Sequence, residues 1–365
     1  MTEEEKICGS VDYVNKICQN LKEIKKEEFG KLLHAVGSCR RIILVGEGRS
    51  GIALLIGIKG IKKRIFHEDD SSWRWRNVAE AATEFERKRG KTLVLINSGS
   101  GNTASPKETV EDLRLFIDVL KEKRGQKFLI ATVTSHPEAE IAQHCDVALE
   151  LKGRDDNKEQ TSPLESGIIG DQFELASMVL FRMIKEAINN NLSTEETLRA
   201  IEKEIKTIGK IIDSYLASKH YQALIKETAS RQRIIRGGRG PDKKVGDLTV
   251  IRILHINRLV GREAWPTGPL PPPPIAGDIL VPISFSGETK STLQWVETYK
   301  KAGGLIFSIV GTKDSTLSKE ENSYVFEARI EDFYVRVVFL LSPLAGATSD
   351  FERIIPSKSV HFGHF

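Results

Sequence analysis

Serine, threonine and glycine follow two apolar runs of this sequence with the same spacing. The stretch "NSGSGNT" at 97–103 follows "KTLVLI", and "SFSGET" at 284–289 follows "GDILVPI". Hydroxyl groups at alternate positions supply hydrogen-bond donors without bulk, and glycine lets the backbone approach an anion closely. At the start of a helix, unpaired N–H groups and a partial positive charge also attract anions. Both turns are therefore predicted to bind a phosphate group.

The same residue types also cap helices in ordinary strand-to-helix turns, which is the alternative explanation of each turn taken alone. Repetition favours phosphate binding, because each turn has the same place in the order of elements and follows a Gly-x-Gly turn. The first of these, "GEGRSG" at 46–51, lacks the Gly-Lys-Ser/Thr of a Walker A motif. Its third glycine falls one residue early for a dinucleotide-binding motif, so nucleotides are not the expected ligands.

Apolar runs alternate with helix-like stretches in the first half of the chain. After a helical N-terminal segment, strands are predicted at 41–45, 92–96, 128–133 and 147–151, and helices at 50–62, 106–123 and 171–188. Strands that alternate with helices form βαβ units and a parallel sheet. Continuous apolar strands fit a sheet that is buried on both faces.

The same order returns in the second half of the chain. Strands are predicted there at 233–238, 278–283, 305–310 and 323–328, and helices at 291–302 and 331–342. The separation between the two halves is 186 residues from Ser98 to Ser284 and 192 residues from Gly46 to Gly238. Such a spacing is typical of one fold used twice.

The sequence therefore predicts an α/β protein with two parallel sheets, each covered by helices on both faces. The predicted divisions are an N-terminal helical segment at 1–35, a first domain at 36–192, linking helices at 193–230, and a second domain with a C-terminal tail at 231–365. Ser193 and Glu196 have the spacing of a capping box at the start of the linking helices.

Charge and cysteine content restrict the classes of partner. The net charge of +4 is small for 365 residues and includes no polybasic tail, so neither nucleic acid nor membrane is an expected partner. No apolar run approaches the roughly 20 residues that cross a bilayer, and "MTEEEK" is no secretory signal, so a cytoplasmic protein is expected. The four cysteines form no C-x-x-C pair and are expected as reduced thiols, without a metal site.

These motifs resemble the sugar isomerase (SIS) domain family, whose members bind phosphosugars. The first half is similar to 6-phospho-3-hexuloisomerase in "ILVGEGRSG", "NSGSGNT" and "SPLESGIIGDQFE". The second half is similar to the isomerase half of glucosamine-6-phosphate synthase in "GRGPDKKVGDLTVIRILHI", "SFSGET" and "IIPSKSV". The resemblance covers nearly the whole chain from about residue 35 and implies two tandem flavodoxin-like three-layer domains.

Carried over to this sequence, the family's phosphate contacts fall on seven hydroxyl residues. They are Ser50, Ser98, Ser100 and Thr103 in the first half, and Ser284, Ser286 and Thr289 in the second. The second half departs from the pattern, because "GRGPD" has no serine at the place of Ser50. A weaker phosphate site is expected there.

The resemblance also suggests three catalytic residues for aldose–ketose isomerisation, which needs a base and an acid–base pair for ring opening. Glu174 matches the Phe-Glu of the isomerase, and the second half has Tyr334 at that place. His255 stands where the synthase has a glutamate, and Lys358 resembles the lysine of its tail. Each has an ordinary alternative: a carboxylate that pairs with an arginine, a hydrogen-bonded core histidine, and a solvated terminal lysine.

The sequence thus predicts a phosphosugar isomerase that acts through a cis-enediol, with a sugar phosphate as ligand. Enediol chemistry needs no metal or organic cofactor, and the family resemblance implies a homodimer. A non-catalytic phosphosugar-binding sensor or regulatory protein is the alternative, favoured by the departures at Tyr334 and His255. A purely structural protein fits poorly with two hydroxyl-rich turns.

Overall fold

The chain forms two compact units. The computed structural model describes residues 6–67, 90–124, 128–153, 162–168, 170–268 and 271–351. The first unit consists of Lys16–Arg154 and Gly170–Ile205, and the second of Met1–Asn15, Asp155–Ile169 and Lys206–Phe365.

The first unit is built on a five-stranded parallel sheet. Its strands are β1 (Arg41–Val45), β2 (Arg64–His67), β3 (Thr92–Asn97), β4 (Phe128–Thr134) and β5 (Val147–Glu150). Their spatial order is β2-β1-β3-β4-β5. β1 and β3 are buried along their whole length, because helices cover both faces of the sheet. The order of the strands changes direction beside β1 and β3, which is where open sheets of this kind hold ligands.

Helices precede, separate and follow these strands, and all but one of them have three turns or more. They are α1 (Asp12–Lys22), α2 (Lys26–Ser38), α3 (Gly48–Ile58), α4 (Ala104–Arg124), the short α5 (Glu140–Gln143), α7 (Asp171–Asn190) and α8 (Thr194–Leu216). The intervening α6 (Pro163–Ser166) belongs to the second unit. On one face of the sheet, α4 buries Val110, Leu113 and Ile117 in one apolar cluster with β1, β3 and β4.

The helices α3 and α7 pack at very short range through Gly57. A Cβ added at Gly57 would lie 2.7 Å from both the carbonyl oxygen of Met178 and the Cβ of Phe181. Replacing Gly57 by alanine should therefore lower the free energy of unfolding by about 1–3 kcal/mol, since backbone must move to admit the methyl group. Urea denaturation of the whole chain measures this loss.

Gly30 in α2 is the matched control for this substitution. A Cβ there would meet the side chain of Thr194, with Oγ1 at 3.5 Å and Cγ2 at 3.9 Å, both ordinary contact distances. Gly30→Ala should leave stability unchanged or raise it by up to about 1 kcal/mol, because glycine is unfavourable inside a helix. An equal response of the two variants would refute the close packing at Gly57.

The second unit repeats the sheet of the first. Its strands are β6 (Arg233–Gly237), β7 (Glu263–Pro266), β8 (Ile279–Ser284), β9 (Leu305–Ile306), β10 (Ser308–Val310) and β11 (Ser323–Val325). The order is β11-β10-β8-β6-β7, all parallel, and β9 also pairs with β8. Its larger helices are α9 (Lys219–Ser230), α10 (Pro241–Leu259), α11 (Lys290–Lys301), α12 (Ile330–Leu341) and α13 (Pro343–Phe351).

These two parallel sheets confirm the predicted fold class. The predicted capping box is also present, since Ser193 Oγ accepts from Glu196 N and Glu196 Oε2 accepts from Ser193 N, at 3.2 and 2.8 Å. The predicted strand 305–310 is divided at Phe307, whose N–H still donates to Leu280 O. Across the described ranges, every helix is either too short or too polar to span a bilayer.

Candidate functional site

The Ser/Gly turn of the first unit, residues 98–103, joins β3 to α4, and its hydroxyl groups converge. Ser98 is 2% exposed, and its Oγ lies 3.1 Å from Thr103 Oγ1. Ser100 Oγ lies 3.4 Å from the same threonine oxygen. Because α4 begins at Ala104, the hydroxyls stand beside the unpaired N–H groups of a helix start. The structure thus brings together three residues that were predicted to bind phosphate.

Gly101 determines the backbone path of this turn. Its φ is 65°, and a Cβ there would lie 2.5 Å from the Cβ of Ala139. A side chain would be strained in this conformation and would collide with the loop after β4. Glycine therefore keeps the turn pressed against that loop.

Ser50, the fourth predicted phosphate ligand of this unit, lies in the first turn of α3. β1 pairs with β3, so the turn before α3 and the Ser/Gly turn lie at the same edge of the sheet. Asn97 Nδ2 donates to Ser50 O at 2.8 Å and to Ser177 Oγ at 3.0 Å. This buried amide ties the start of α3 to α7.

Arg49 links the same edge of the sheet to Glu174 through a buried ion network. Its Nε donates to Glu174 Oε2 at 2.6 Å, and its Nη2 donates to Asp171 Oδ1 at 2.7 Å. The side chains of Arg49 and Asp171 are each 3% exposed, and that of Glu174 is 12% exposed. Such charge-assisted bonds fix the orientation of a carboxylate. Glu174 is therefore a held group and not a mobile surface charge.

The sequence analysis named Glu174 but not the arginine that holds it. Arg49 lies inside the quoted motif "GEGRSG", where an arginine among small residues and directly before an apolar helix was the available signal. Asp171 and Glu174, three residues apart at the start of α7, carried the complementary signal. Pairing them required the fold, because 122 and 125 residues separate Arg49 from its partners.

The Ser/Gly turn of the second unit, residues 284–289, repeats the contact between its first serine and its threonine. Ser284 is 1% exposed, its Oγ lies 3.4 Å from Thr289 Oγ1, and it accepts a hydrogen bond from Gly287 N. Ser286 is exposed, as Ser100 is in the first unit. The turn precedes α11, which begins at Lys290. Two of the three predicted hydroxyl residues of this half, Ser284 and Thr289, are thus brought together, whereas Ser286 Oγ accepts a hydrogen bond from Glu288 N.

Two carboxylates distinguish the second turn from the first. Asp242 stands 192 residues after Ser50, at the equivalent place, and is 6% exposed. Glu288 replaces Asn102, and its carboxylate accepts hydrogen bonds from the N–H and the hydroxyl of Thr316, at 2.5 and 2.9 Å. These bonds hold the pKa of Glu288 below its usual value. Negative charge at this turn opposes the binding of a phosphate.

The remaining predicted catalytic residues belong to the second unit or lie outside the described residues. His255 is half-buried on α10. Tyr334, at the place of Glu174, lies on α12, where burial and the nearby charge of Asp242 raise its pKa to about 12. Lys358 lies beyond residue 351, outside the described part of the chain. No three His, Cys, Asp or Glu side chains within the described ranges are placed to hold a metal ion.

Comparison with known proteins agrees with this architecture. No family model matches the sequence. Glutamine–fructose-6-phosphate aminotransferase of Sulfolobus acidocaldarius is 26% identical over 204 residues, covering 48% of this chain and 30% of that protein. The C-terminal domain of glucosamine-fructose-6-phosphate aminotransferase from Francisella tularensis superposes over 94% of this chain and 98% of that domain, with a TM-score of 0.61 and 16% identity.

A second solved structure gives the same result. Tagatose-6-phosphate ketose/aldose isomerase from Escherichia coli covers 94% of both chains, with a TM-score of 0.55 and 12% identity. The chain has the tandem SIS fold. At these identities the likeness concerns the fold, so the activity has to be argued from the site itself.

Proposed function

We propose that this protein is a phosphosugar isomerase of the aldose–ketose type that binds its substrate's phosphate at residues 98–103. The convergence of the Ser98, Ser100 and Thr103 hydroxyls at the start of α4 carries this proposal. Hydroxyl and backbone N–H donors in this arrangement suit a phosphate dianion. The solved structures of the same fold include a ketose/aldose isomerase of a sugar phosphate.

Glu174 is the proposed base. Isomerisation moves a proton between neighbouring carbons through a cis-enediol, so one carboxylate can remove the proton and return it to the next carbon. Arg49 would orient that carboxylate, since one guanidinium nitrogen binds each of Glu174 and Asp171. The similarity of the first half to 6-phospho-3-hexuloisomerase stays a prediction from its motifs, as do the roles of His255, Lys358 and a homodimer.

A phosphosugar sensor is the second candidate function. One observation favours it: Arg49 Nε already donates to Glu174 Oε2 at 2.6 Å, so this oxygen has a partner within the protein before any sugar binds. Proton exchange separates the two functions. The protein is incubated in heavy water with fructose 6-phosphate, glucosamine 6-phosphate or a 3-hexulose 6-phosphate, and NMR follows loss of the carbon-bound proton. Binding without exchange on any sugar would favour the sensor.

Ser98→Ala tests the phosphate site. Losing a hydroxyl that donates to a charged phosphate should weaken binding of fructose 6-phosphate by about 10- to 100-fold, measured by isothermal titration calorimetry. Ser284→Ala is the matched control at the equivalent place of the second unit. Its effect should be smaller, because Asp242 and Glu288 put negative charge at that turn. A larger effect of Ser284→Ala would assign the phosphate to the second unit.

A further inference from the structure

Arg236 is a fully buried arginine in the sheet of the second unit. It lies on β6, paired with Pro266 of β7 and Val281 of β8, and is 0% exposed. The equivalent place in the first unit, 192 residues earlier, holds Leu44, a buried aliphatic side chain. In the second unit a cationic side chain thus replaces an apolar one inside the protein.

The charge of Arg236 has no counter-charge among the described residues. Burial lowers the pKa of Arg236 to about 10, so its guanidinium is still protonated at neutral pH. Of the described ionisable groups, only Tyr215 and Tyr221 act on this pKa. Burial raises the pKa of both phenols, which are therefore uncharged. Since a buried charge is costly unless it is paired, this arrangement calls for an anion.

The guanidinium of Arg236 has two donors on one edge that lack an acceptor. Nε and Nη2 make no hydrogen bond to the part of the chain that the structure describes. The remaining nitrogen, Nη1, donates to Thr249 O on α10 over a long 3.5 Å. Because the hydrogens of Nε and Nη2 point in the same direction, this edge can bind a single anion with two hydrogen bonds.

Two other arginines of the protein use the same edge for carboxylates. Arg49 donates from Nε and Nη2 to its two buried carboxylates in the first unit. Arg233, three residues before Arg236 on β6, donates from the same two nitrogens to Asp278. An anion that is not part of the described chain would complete Arg236 in the same way.

Tyr221 supplies a further donor close to Arg236. It is 2% exposed, and its hydroxyl makes no hydrogen bond within the described ranges. The two side chains are near each other, because the charge of Arg236 acts on the pKa of Tyr221. The hydroxyl of Tyr215, by contrast, is already bonded to His220 Nδ1 at 3.2 Å. One anion could accept hydrogen bonds from both Arg236 and Tyr221.

We propose that the interior of the second unit binds a chloride ion between the Nε and Nη2 edge of Arg236 and the hydroxyl of Tyr221. A monoatomic anion suits this place, because both side chains are shielded from solvent and the rest of a larger ligand would have no room to reach it. The ion offsets the cost of the buried charge and so stabilises the second unit. This site is separate from the Ser/Gly turns and does not depend on the proposed function.

Anion exchange at constant ionic strength tests the proposal. The full-length protein is dialysed into sodium gluconate or sodium chloride of equal concentration, and circular dichroism follows its thermal unfolding. Chloride should raise the midpoint by about 5–10 °C, the effect of a ligand present at about 100 times its Kd. Gluconate screens charges equally but is too large for the site. Equal midpoints in the two salts would overturn the proposal.

Variants assign the effect of chloride to this site. Arg236→Leu, which copies the first unit, should unfold at the same temperature in both salts, because it has no buried charge to pair. Tyr221→Phe keeps the charge and loses one donor, so the chloride concentration for half-maximal stabilisation should rise about tenfold. Tyr299→Phe is the matched control, since this buried tyrosine packs with Ile235 on the opposite face of the sheet. It should respond to chloride as the wild type does.

Two results with these variants would contradict a chloride site at Arg236. A chloride response that persists in Arg236→Leu would place the ion elsewhere. If Arg236→Leu does not fold, Tyr221→Phe decides: a response to chloride identical to that of the wild type and of Tyr299→Phe would overturn the proposal.

Discussion

Replacing Glu174 by glutamine should lower the rate of substrate proton exchange about 10³-fold while leaving fructose 6-phosphate binding within threefold of wild type. The reason is that a positioned general base contributes two to four orders of magnitude to a rate, and the amide cannot accept the proton. The amide keeps the size of the side chain and can still accept a hydrogen bond from Arg49. NMR exchange in heavy water measures the rate, and calorimetry measures the affinity.

Glu196→Gln is the control for the lost charge. Glu196 belongs to the same unit, is exposed, and caps α8 through Ser193, a role that glutamine also performs. Exchange should be unaffected in that variant. If Glu174→Gln retains the wild-type rate, Glu174 serves only to hold Arg49, and the base must be sought elsewhere.

Much of the fold could be predicted because its central strands are continuous apolar runs. β1, β3 and β8 begin and end within one residue or so of their predicted positions, and all three are buried along their length. The strands β2 and β7 were missed. Each has four residues, RIFH in β2 and EAWP in β7. Each lies at an edge of its sheet and pairs with a neighbouring strand on one side, so it need not be a continuous apolar run.

The N-terminal segment shows another limit of local patterns. One helical segment was predicted over 1–35, and two helices, α1 and α2, are present with Glu23–Lys25 between them. This break contains no glycine or proline, the residues that mark helix ends in a sequence. Both helices bury apolar residues at helical spacing, so the predicted helical periodicity was correct. The break between the two helices had no signal in the sequence.

The candidate site could likewise be predicted only where its residues are neighbours in the sequence. Hydroxyl residues 98–103 are neighbours in the sequence, so their meeting at Thr103 could be predicted from the motif and the strand-to-helix turn. The side chain that binds Glu174 could not be predicted, because Arg49 lies on α3 and Glu174 on α7, far apart in the sequence.

Removing the positive charge of Arg49 should be among the single changes that lower the stability of the first unit most. In Arg49→Leu, Asp171 and Glu174 lose their shared guanidinium while staying almost shielded from water. Breaking a buried ion pair from one side typically lowers the free energy of unfolding by about 3–5 kcal/mol. Urea denaturation at neutral pH measures this loss, and Lys31→Met, which breaks an exposed pair with Glu27, should leave the midpoint unchanged.

The cause of that loss can be separated from lost packing by neutralising the carboxylates. Adding Asp171→Asn and Glu174→Gln to Arg49→Leu should restore part of the stability, because neutral amides need no cation nearby. A triple variant as unstable as Arg49→Leu would mean that the stem of Arg49 stabilises by packing. Recovery of stability would instead show that the loss in Arg49→Leu comes from two nearly buried carboxylates left without their guanidinium, since neutral side chains of the same size are tolerated in their place.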